Sequence, residues 1–413
     1  MANPFFIIIL TALLVEHAIR IVANLLNLRY MRAEPPSSLK DVQDPDDYRR
    51  SQEYLRTNTR FHLITSTFSL AVVLSFWFSG GFNYLDQAVR SWGFTPIVNG
   101  LLFIGILATG YSLIRLPFSI YRTFVIEERF GFNRATPGTF VTDVFKKMVL
   151  AGLLGGALLS GVLALFQHAG QLAWLYCWVA LTLFALALQY VAPTWIMPLF
   201  NKFTPLEPGE LREAILGYGR SVGFPIRNVF VIDGSRRSTK SNAFFTGFGR
   251  NKRIALFDTL IRRHTVPELV AVLAHEIGHH KKKHILQGTI IGILHAGFLF
   301  FLLSVFLGSP GLYEAFYMEQ QSIYAGIVFF GLLYTPLQMV ISLVVRALSR
   351  RNEYQADRFA ATTIEDPGHL VEALKKLNAG NLSNLTPHPF YVSLNYSHPP
   401  LFERVRAIMQ QQA

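Results

Sequence analysis

The sequence predicts a mainly α-helical protein that crosses a membrane seven times and carries a smaller water-exposed unit with a few β-strands. Three observations predict it. Hydrophobic residues fill 51% of the 413 positions and charged residues only 15%, whereas a soluble chain is about 25% charged. Seven apolar runs come close to or exceed the length of a membrane helix, about 20 residues. Basic and neutral loops alternate between those runs, as the positive-inside rule requires.

The runs are Pro4–Leu26, His62–Phe82, Ile97–Ile120, Val149–Phe166, Leu172–Val191, Ile285–Leu307 and Tyr324–Val345. The fourth is the shortest, and its Gly152, Gly155, Gly156 and Gly161 let a neighbouring helix approach closely. The first lacks a basic leader and a clear small-residue cleavage site, so it is expected to stay as a helix rather than leave as a signal peptide. The single cysteine, Cys177, sits in the fifth run, and no intrachain disulfide can form.

Arg29, Arg32, Lys40, Arg49, Arg50, Arg56 and Arg60 follow the first run, and Arg122, Arg129, Arg134, Lys146 and Lys147 follow the third. Only Arg90 follows the second, and the loops after the fourth and sixth hold no Lys or Arg. The N-terminus is therefore expected outside and the C-terminus in the cytoplasm. The same pattern accounts for the net charge of +12. Its natural partner is the anionic surface of a lipid bilayer, not nucleic acid.

Outside the membrane runs, Ala33–Arg60 reads as a polar loop with some helix, and Arg122–Lys147 as a second loop. The largest such block is Asn201–His284. Leu206–Val222 reads as a helix. Val229-Phe230-Val231-Ile232 and Ile254-Ala255-Leu256-Phe257 read as strands, with Ala243-Phe244-Phe245 as a short third. The chain thus divides into 1–200 with five spans, 201–284, 285–345 with two spans, and 346–413. The second and fourth segments are expected on the same, cytoplasmic, side.

That block ends on His275-Glu276-Ile277-Gly278-His279. Thr265 and Glu268 form a capping box that starts a helix, and Leu269, Val272, Leu273 and Ile277 repeat at helical spacing. Residues four apart share a helix face, so His275 and His279 can turn ring nitrogens to one point. Glu276 lies one step round, placed to hold water rather than metal. Two imidazoles and a carboxylate in this order suit a Zn²⁺ site that hydrolyses peptides. The plainer alternative is an amphipathic helix without metal.

A catalytic zinc normally takes a third protein ligand. His280 and His284 also stand four apart, but on the neighbouring face, and are expected at the membrane surface. Glu353, in Asn352-Glu353-Tyr354-Gln355-Ala356-Asp357, is the better candidate. Asp357, four residues on, could accept a hydrogen bond from a ligand histidine and fix its tautomer. Spacing alone leaves open whether both are ordinary exposed acids.

These two motifs together resemble the M48 metallopeptidases, specifically the Ste24 or CAAX prenyl protease 1 group. Further stretches are similar: Phe124-Val125-Ile126-Glu127-Glu128 with Gly131-Phe132-Asn133, Pro198 through Leu206, Ser241-Asn242-Ala243-Phe244-Phe245, and Ser397-His398-Pro399-Pro400 with Glu403-Arg404. The resemblance covers nearly the whole chain. It implies a zincin-like catalytic domain with one Zn²⁺ on His275, His279 and Glu353, and Glu276 as the base. It also implies a large chamber enclosed by the spans. Asn242 and Ala243 lie where the group offers a strand edge to the substrate backbone, although the residues alone favour a buried hairpin. His398 lies where the group has a histidine near the zinc, able to stabilise an oxyanion. Arg404 is expected either to orient His398 or to pair with Asp357.

Glu16, His17, Arg20, Arg115 and His295 are ionisable residues inside the runs. Glu16 and Arg20 are spaced to pair; with His17 they lie in the first run. Arg115 and His295 are read as facing a polar interior.

The expected activity is an integral-membrane zinc endopeptidase acting on peptides or membrane-associated proteins, of C-a-a-X type or broader. Its expected setting is a bacterial cytoplasmic membrane, or the endoplasmic reticulum in a eukaryote. Two alternatives are a quality-control protease of HtpX type, disfavoured by the seven spans, and a non-proteolytic transporter or metal carrier.

Overall fold

The computed structural model describes residues 3–32, 34–35, 44–226, 229–246 and 253–410. Among the described residues six helices are long and apolar enough to cross a membrane: α1 (Pro4–Arg29), α2 (Pro45–Phe78), α3 (Pro96–Glu127), α4 (Pro137–His168), α5 (Gly170–Leu199) and, beyond the β-sheet, α8 (His284–Leu307). The seventh span is a pair, α9 (Ile323–Leu333) and α10 (Thr335–Thr363), bent by 55°. Pro336 stands at the start of α10. It lacks an N–H and crowds the preceding turn, which accounts for the bend.

Most helices outrun their apolar segments, because a helix need not stop where the bilayer does. The polar stretch expected as a loop after the first run is largely the start of α2. Asp44 caps it, accepting hydrogen bonds from the Asp46 and Asp47 amides at 2.8 and 2.9 Å. Residues 36–43 of that stretch, with Lys40, lie outside the described residues. Likewise α4 begins at Thr136, whose hydroxyl accepts from the Thr139 amide, well before Val149.

The loops sort to two ends of the helix bundle. At one end the Trp77 indole donates to the Ala315 carbonyl at 2.7 Å, the Tyr324 hydroxyl to Asp86, and Asn83 to Glu319. At the other end Arg50 donates to the Phe130 carbonyl, Arg237 grips Asp143 at 2.7 and 2.9 Å, and Asn27 accepts from the His388 amide. The basic loops and the two non-membrane segments thus share one end, and the neutral loops share the other.

The non-membrane unit at the basic end is built on a four-stranded sheet of order β1-β2-β4-β3. β1 (Phe203–Pro205) and β3 (Ala243–Thr246) run antiparallel to their neighbours, while β2 (Val229–Ile232) and β4 (Arg253–Phe257) are parallel. The three expected strands are present. β1 is additional: three residues ending in proline carry no alternating pattern to read. Helix α6 (Glu210–Ser221) precedes β2, and α7 (Val266–Lys281) follows β4. Leu269, Val272, Leu273 and Ile277 of α7 are all buried, in one cluster with Ile254, Leu256 and Ala360. Each such side chain contributes about 1.5–3 kcal/mol, which fixes the rotation of α7 about its axis. After α10 come α11 (Gly368–Gly380), α12 (Pro389–Asn395) and α13 (Leu401–Met409).

Candidate active site

The capping box forms as the sequence requires. The Glu268 carboxylate accepts the Thr265 amide at 3.0 Å and is held from behind by Lys376 at 2.7 and 2.9 Å. The helix it starts carries His275 and His279 one turn apart. Gly278 between them lets α10 come close. A Cβ there would lie 3.0 Å from the Ala356 carbonyl oxygen and 3.1 Å from its Cα. Any larger residue would push the two helices apart by a few tenths of an ångström.

The approach brings Glu353 to the histidine pair. His275 Nε2 and His279 Nε2 lie 3.1 Å apart. Glu353 Oε2 is 3.5 Å from the first and Glu353 Oε1 is 3.3 Å from the second. Four tetrahedral zinc ligands at 2.0–2.1 Å from the ion stand about 3.4 Å from one another, so the three donors fit a zinc ion. Glu353 Oε2 is also buried without a hydrogen-bond partner among the described residues, as expected of an oxygen meant for a cation. Burial disfavours charge on His275, but the Asp357 and Glu353 carboxylates outweigh it and push its pKa up to about 9. A cation entering between the rings must displace that proton.

Each ring is oriented from behind. His275 Nδ1 is 2.8 Å from Asp357 Oδ1. Arg404 Nε and Nη2 donate to Asp357 at 2.8 and 2.6 Å. Of the two roles expected for Arg404, the geometry realises the pairing with Asp357. Neither acid of α10 is an ordinary exposed one, since Glu353 and Asp357 are both buried.

His279 is held differently. Its Nδ1 lies 3.0 Å from His284 Nδ1, and His284 Nε2 lies 3.0 Å from Gln355 Oε1. With His279 Nε2 turned to the ligand point, one proton arrangement satisfies the chain: His279 Nδ1–H donates to His284, and His284 Nε2–H donates to Gln355. His284 is thus buried against His279 instead of lying on a neighbouring face of the same helix. The helix breaks at Lys283, which takes the left-handed φ of 60°. His284 opens α8 and folds back over His279, so counting four residues from His280 gave the wrong face. His280 instead packs edge-on against Phe224.

A cleft of about 460 Å³ opens over this centre. Glu276, half-buried, and His398 line it. His398 Nε2 lies 3.4 Å from Glu353 Oε1, while its Nδ1 meets the Ser397 hydroxyl at 3.0 Å. Asn242 and Ala243 line the same cleft. The expected hairpin forms, since β3 pairs antiparallel with β4, the next strand, but it is not buried here: Asn242 is exposed, Ala243 half-buried, and β3 is an edge of the sheet among the described residues.

The ionisable residues of the spans divide. Arg20 and Glu16 pair at 2.6 Å, and His295 meets the Tyr334 hydroxyl at 2.8 Å. Arg115 lines a second cavity. One joint was not anticipated: Lys240 donates to Glu127 at 2.8 Å and to Tyr54 at 2.7 Å, which ties the sheet to α2 and α3.

Comparison with known proteins agrees with this architecture. Residues 24–202 match the family described as CAAX prenyl protease N-terminal, five membrane helices, and residues 205–412 match peptidase family M48. The probable CAAX prenyl protease 1 of Schizosaccharomyces pombe is 38% identical over 392 residues, covering 92% of this chain and 82% of the relative. CAAX prenyl protease 1 of Saccharomyces cerevisiae is 36% identical over 401 residues, covering 90% and 88%. The crystal structure of S. mikatae Ste24p matches with a TM-score of 0.93 at 34% identity, covering 99% of this chain and 100% of that one. A non-proteolytic carrier is thereby set aside. The chain belongs to peptidase family M48 and is an integral-membrane metalloendopeptidase of the CAAX prenyl protease 1 type.

Proposed function

We propose that the chain binds one Zn²⁺ through His275, His279 and Glu353 and cleaves near the C-terminus of C-a-a-X-type proteins at the membrane. The convergence of His275 Nε2, His279 Nε2 and the Glu353 carboxylate, one of whose oxygens is 3.5 Å from the first nitrogen and the other 3.3 Å from the second, carries this reading. The substrate class rests on the names of the relatives. Segments 201–284 and 346–413 together form the catalytic unit, since α7 and α10 supply its two halves.

Bound zinc would polarise the scissile carbonyl and make a water acidic. Glu276 takes the proton of the attacking water and returns it to the leaving amine. His398 donates to the oxygen that becomes negative. Asp357 and Arg404 hold His275, and the Asn242–Ala243 edge pairs with the substrate backbone as an added strand. Purified protein should hold one zinc per chain, and chelation should abolish cleavage. His275→Ala, His279→Ala and Glu353→Ala should each lose metal and activity together. Full activity in a metal-free preparation would end the proposal.

His398 is expected to behave differently, because three donors are complete without it. His398→Ala should retain zinc and lower kcat by about 10²-fold, the effect of one lost oxyanion donor, with KM changing less. Zinc loss in that variant would make His398 a ligand and displace Glu353.

We place the N-terminus outside and the catalytic unit in the cytoplasm, in a bacterial inner membrane or an endoplasmic reticulum membrane. The alternation of basic and neutral loops supports this orientation. A cysteine introduced at Glu314, in the loop after the sixth span, should react with an impermeant reagent added outside. One at Glu210 should not, and the reverse pattern would invert the topology.

A further inference from the structure

A second cavity, of about 460 Å³, lies among α1, α2, α3 and α12. Its basic side chains are His62, Arg115 and Arg122, and no carboxylate lines it among the described residues. Among the described residues Arg115 hydrogen-bonds only to Tyr111 on its own helix, at 3.1 Å, with its guanidinium over that ring. Arg122 has Glu127 no closer than 3.9 Å. Both arginines are exposed to this space, and among the described residues the protein places no carboxylate within hydrogen-bond distance of either, although a cation in or beside a membrane span normally has a partner. The rest of the wall is largely aromatic, with Phe61, Phe118 and Tyr391. The cavity is a neighbour of the catalytic cleft. Tyr391 lines the first and Tyr396 the second, and their rings meet edge-to-face at 5.8 Å. Helix α12 with its C-terminal cap Tyr396 therefore borders both.

We propose that this cavity receives the anionic end of the substrate. The C-terminal α-carboxylate would sit on Arg115 and Arg122, with the apolar side chains before it against Phe61 and Phe118. This rests on the C-a-a-X reading above, in which the chain end leaves with the short product. Arginine suits the task because its planar fork meets a carboxylate with two parallel hydrogen bonds. A lipid headgroup phosphate has the same charge chemistry, so the test must separate the two sources.

The test compares one C-a-a-X peptide as the free acid and as the C-terminal amide. Full-length enzyme is assayed in phosphatidylcholine vesicles. The wild type should favour the acid by about tenfold or more in kcat/KM, chiefly through KM, as for loss of a hydrogen bond to a charged group. Arg115→Gln and Arg122→Gln should each bring that ratio toward one while retaining zinc, and Arg115→Lys should keep most of it. Equal cleavage of acid and amide by the wild type would overturn the proposal, as would a preference unchanged in both glutamine variants. Adding phosphatidylglycerol supplies the other arm. Stimulation of the wild type but not of Arg115→Gln, with no acid preference in either, would assign the cavity to lipid and reject the carboxylate. Failure to cleave any C-a-a-X peptide, acid and amide alike, would instead remove the underlying substrate reading and this inference with it.

Discussion

Glu276→Ala is expected to retain one zinc per chain and to lower kcat by about 10⁴-fold, the upper range for loss of a general acid–base group. The separation of the two effects follows from where Glu276 stands. The donors that converge are His275, His279 and Glu353. Glu276 is one residue round the helix from His275, outside that set, on the wall of the cleft. It can reach a water in the cleft without holding the metal. Both its tasks require a titratable oxygen, so Glu276→Gln should fail almost as badly as alanine. Metal analysis of the purified variant, beside single-turnover cleavage, checks the prediction. Loss of zinc would make Glu276 a ligand. Activity within tenfold of wild type would move the base elsewhere, and His398 would be the next group to test.

The part of the site that could be read from the sequence is the part built by helical spacing. His275 and His279 share a face because four residues make about one turn, and Glu353 and Asp357 do so for the same reason. Apolar burial of Leu269, Val272, Leu273 and Ile277 turns the first pair toward the second. The helix start at Thr265 was legible because its cap is local. His284 was not, because one left-handed residue, Lys283, redirects the chain. Spacing rules assume an unbroken helix. Nor was the joint of Lys240 with Glu127 and Tyr54, whose partners are 113 and 186 residues away and leave no periodic trace. The spans were visible as apolar runs, but their true ends were set by caps such as Asp44 and Thr136. The bend between α9 and α10 was unmarked except by Pro336.

Arg404→Ala should destabilise the catalytic unit by about 3–5 kcal/mol, the usual cost of removing one partner from a buried ion pair. Asp357 is only 1% exposed and Arg404 only 8%. Two of the three hydrogen bonds to the Asp357 carboxylate come from Arg404, and the third comes from His275. Without the arginine, a buried negative charge keeps a single partner. The same loss frees the His275 ring, so zinc affinity should fall by about 10–100-fold, as for other groups that orient a metal-ligating histidine. The two effects can be separated by following thermal unfolding with and without chelator, because a purely metal-linked loss disappears once zinc is removed. The double variant Arg404→Met with Asp357→Asn discriminates further. It removes both charges, so it should recover much of the stability lost in Arg404→Ala, while zinc affinity stays low because an amide orients the imidazole less firmly than a carboxylate. A single variant as stable as wild type in chelator would mean that the pair serves only the metal. A double variant no more stable than Arg404→Ala would mean that Arg404 acts through packing, not charge.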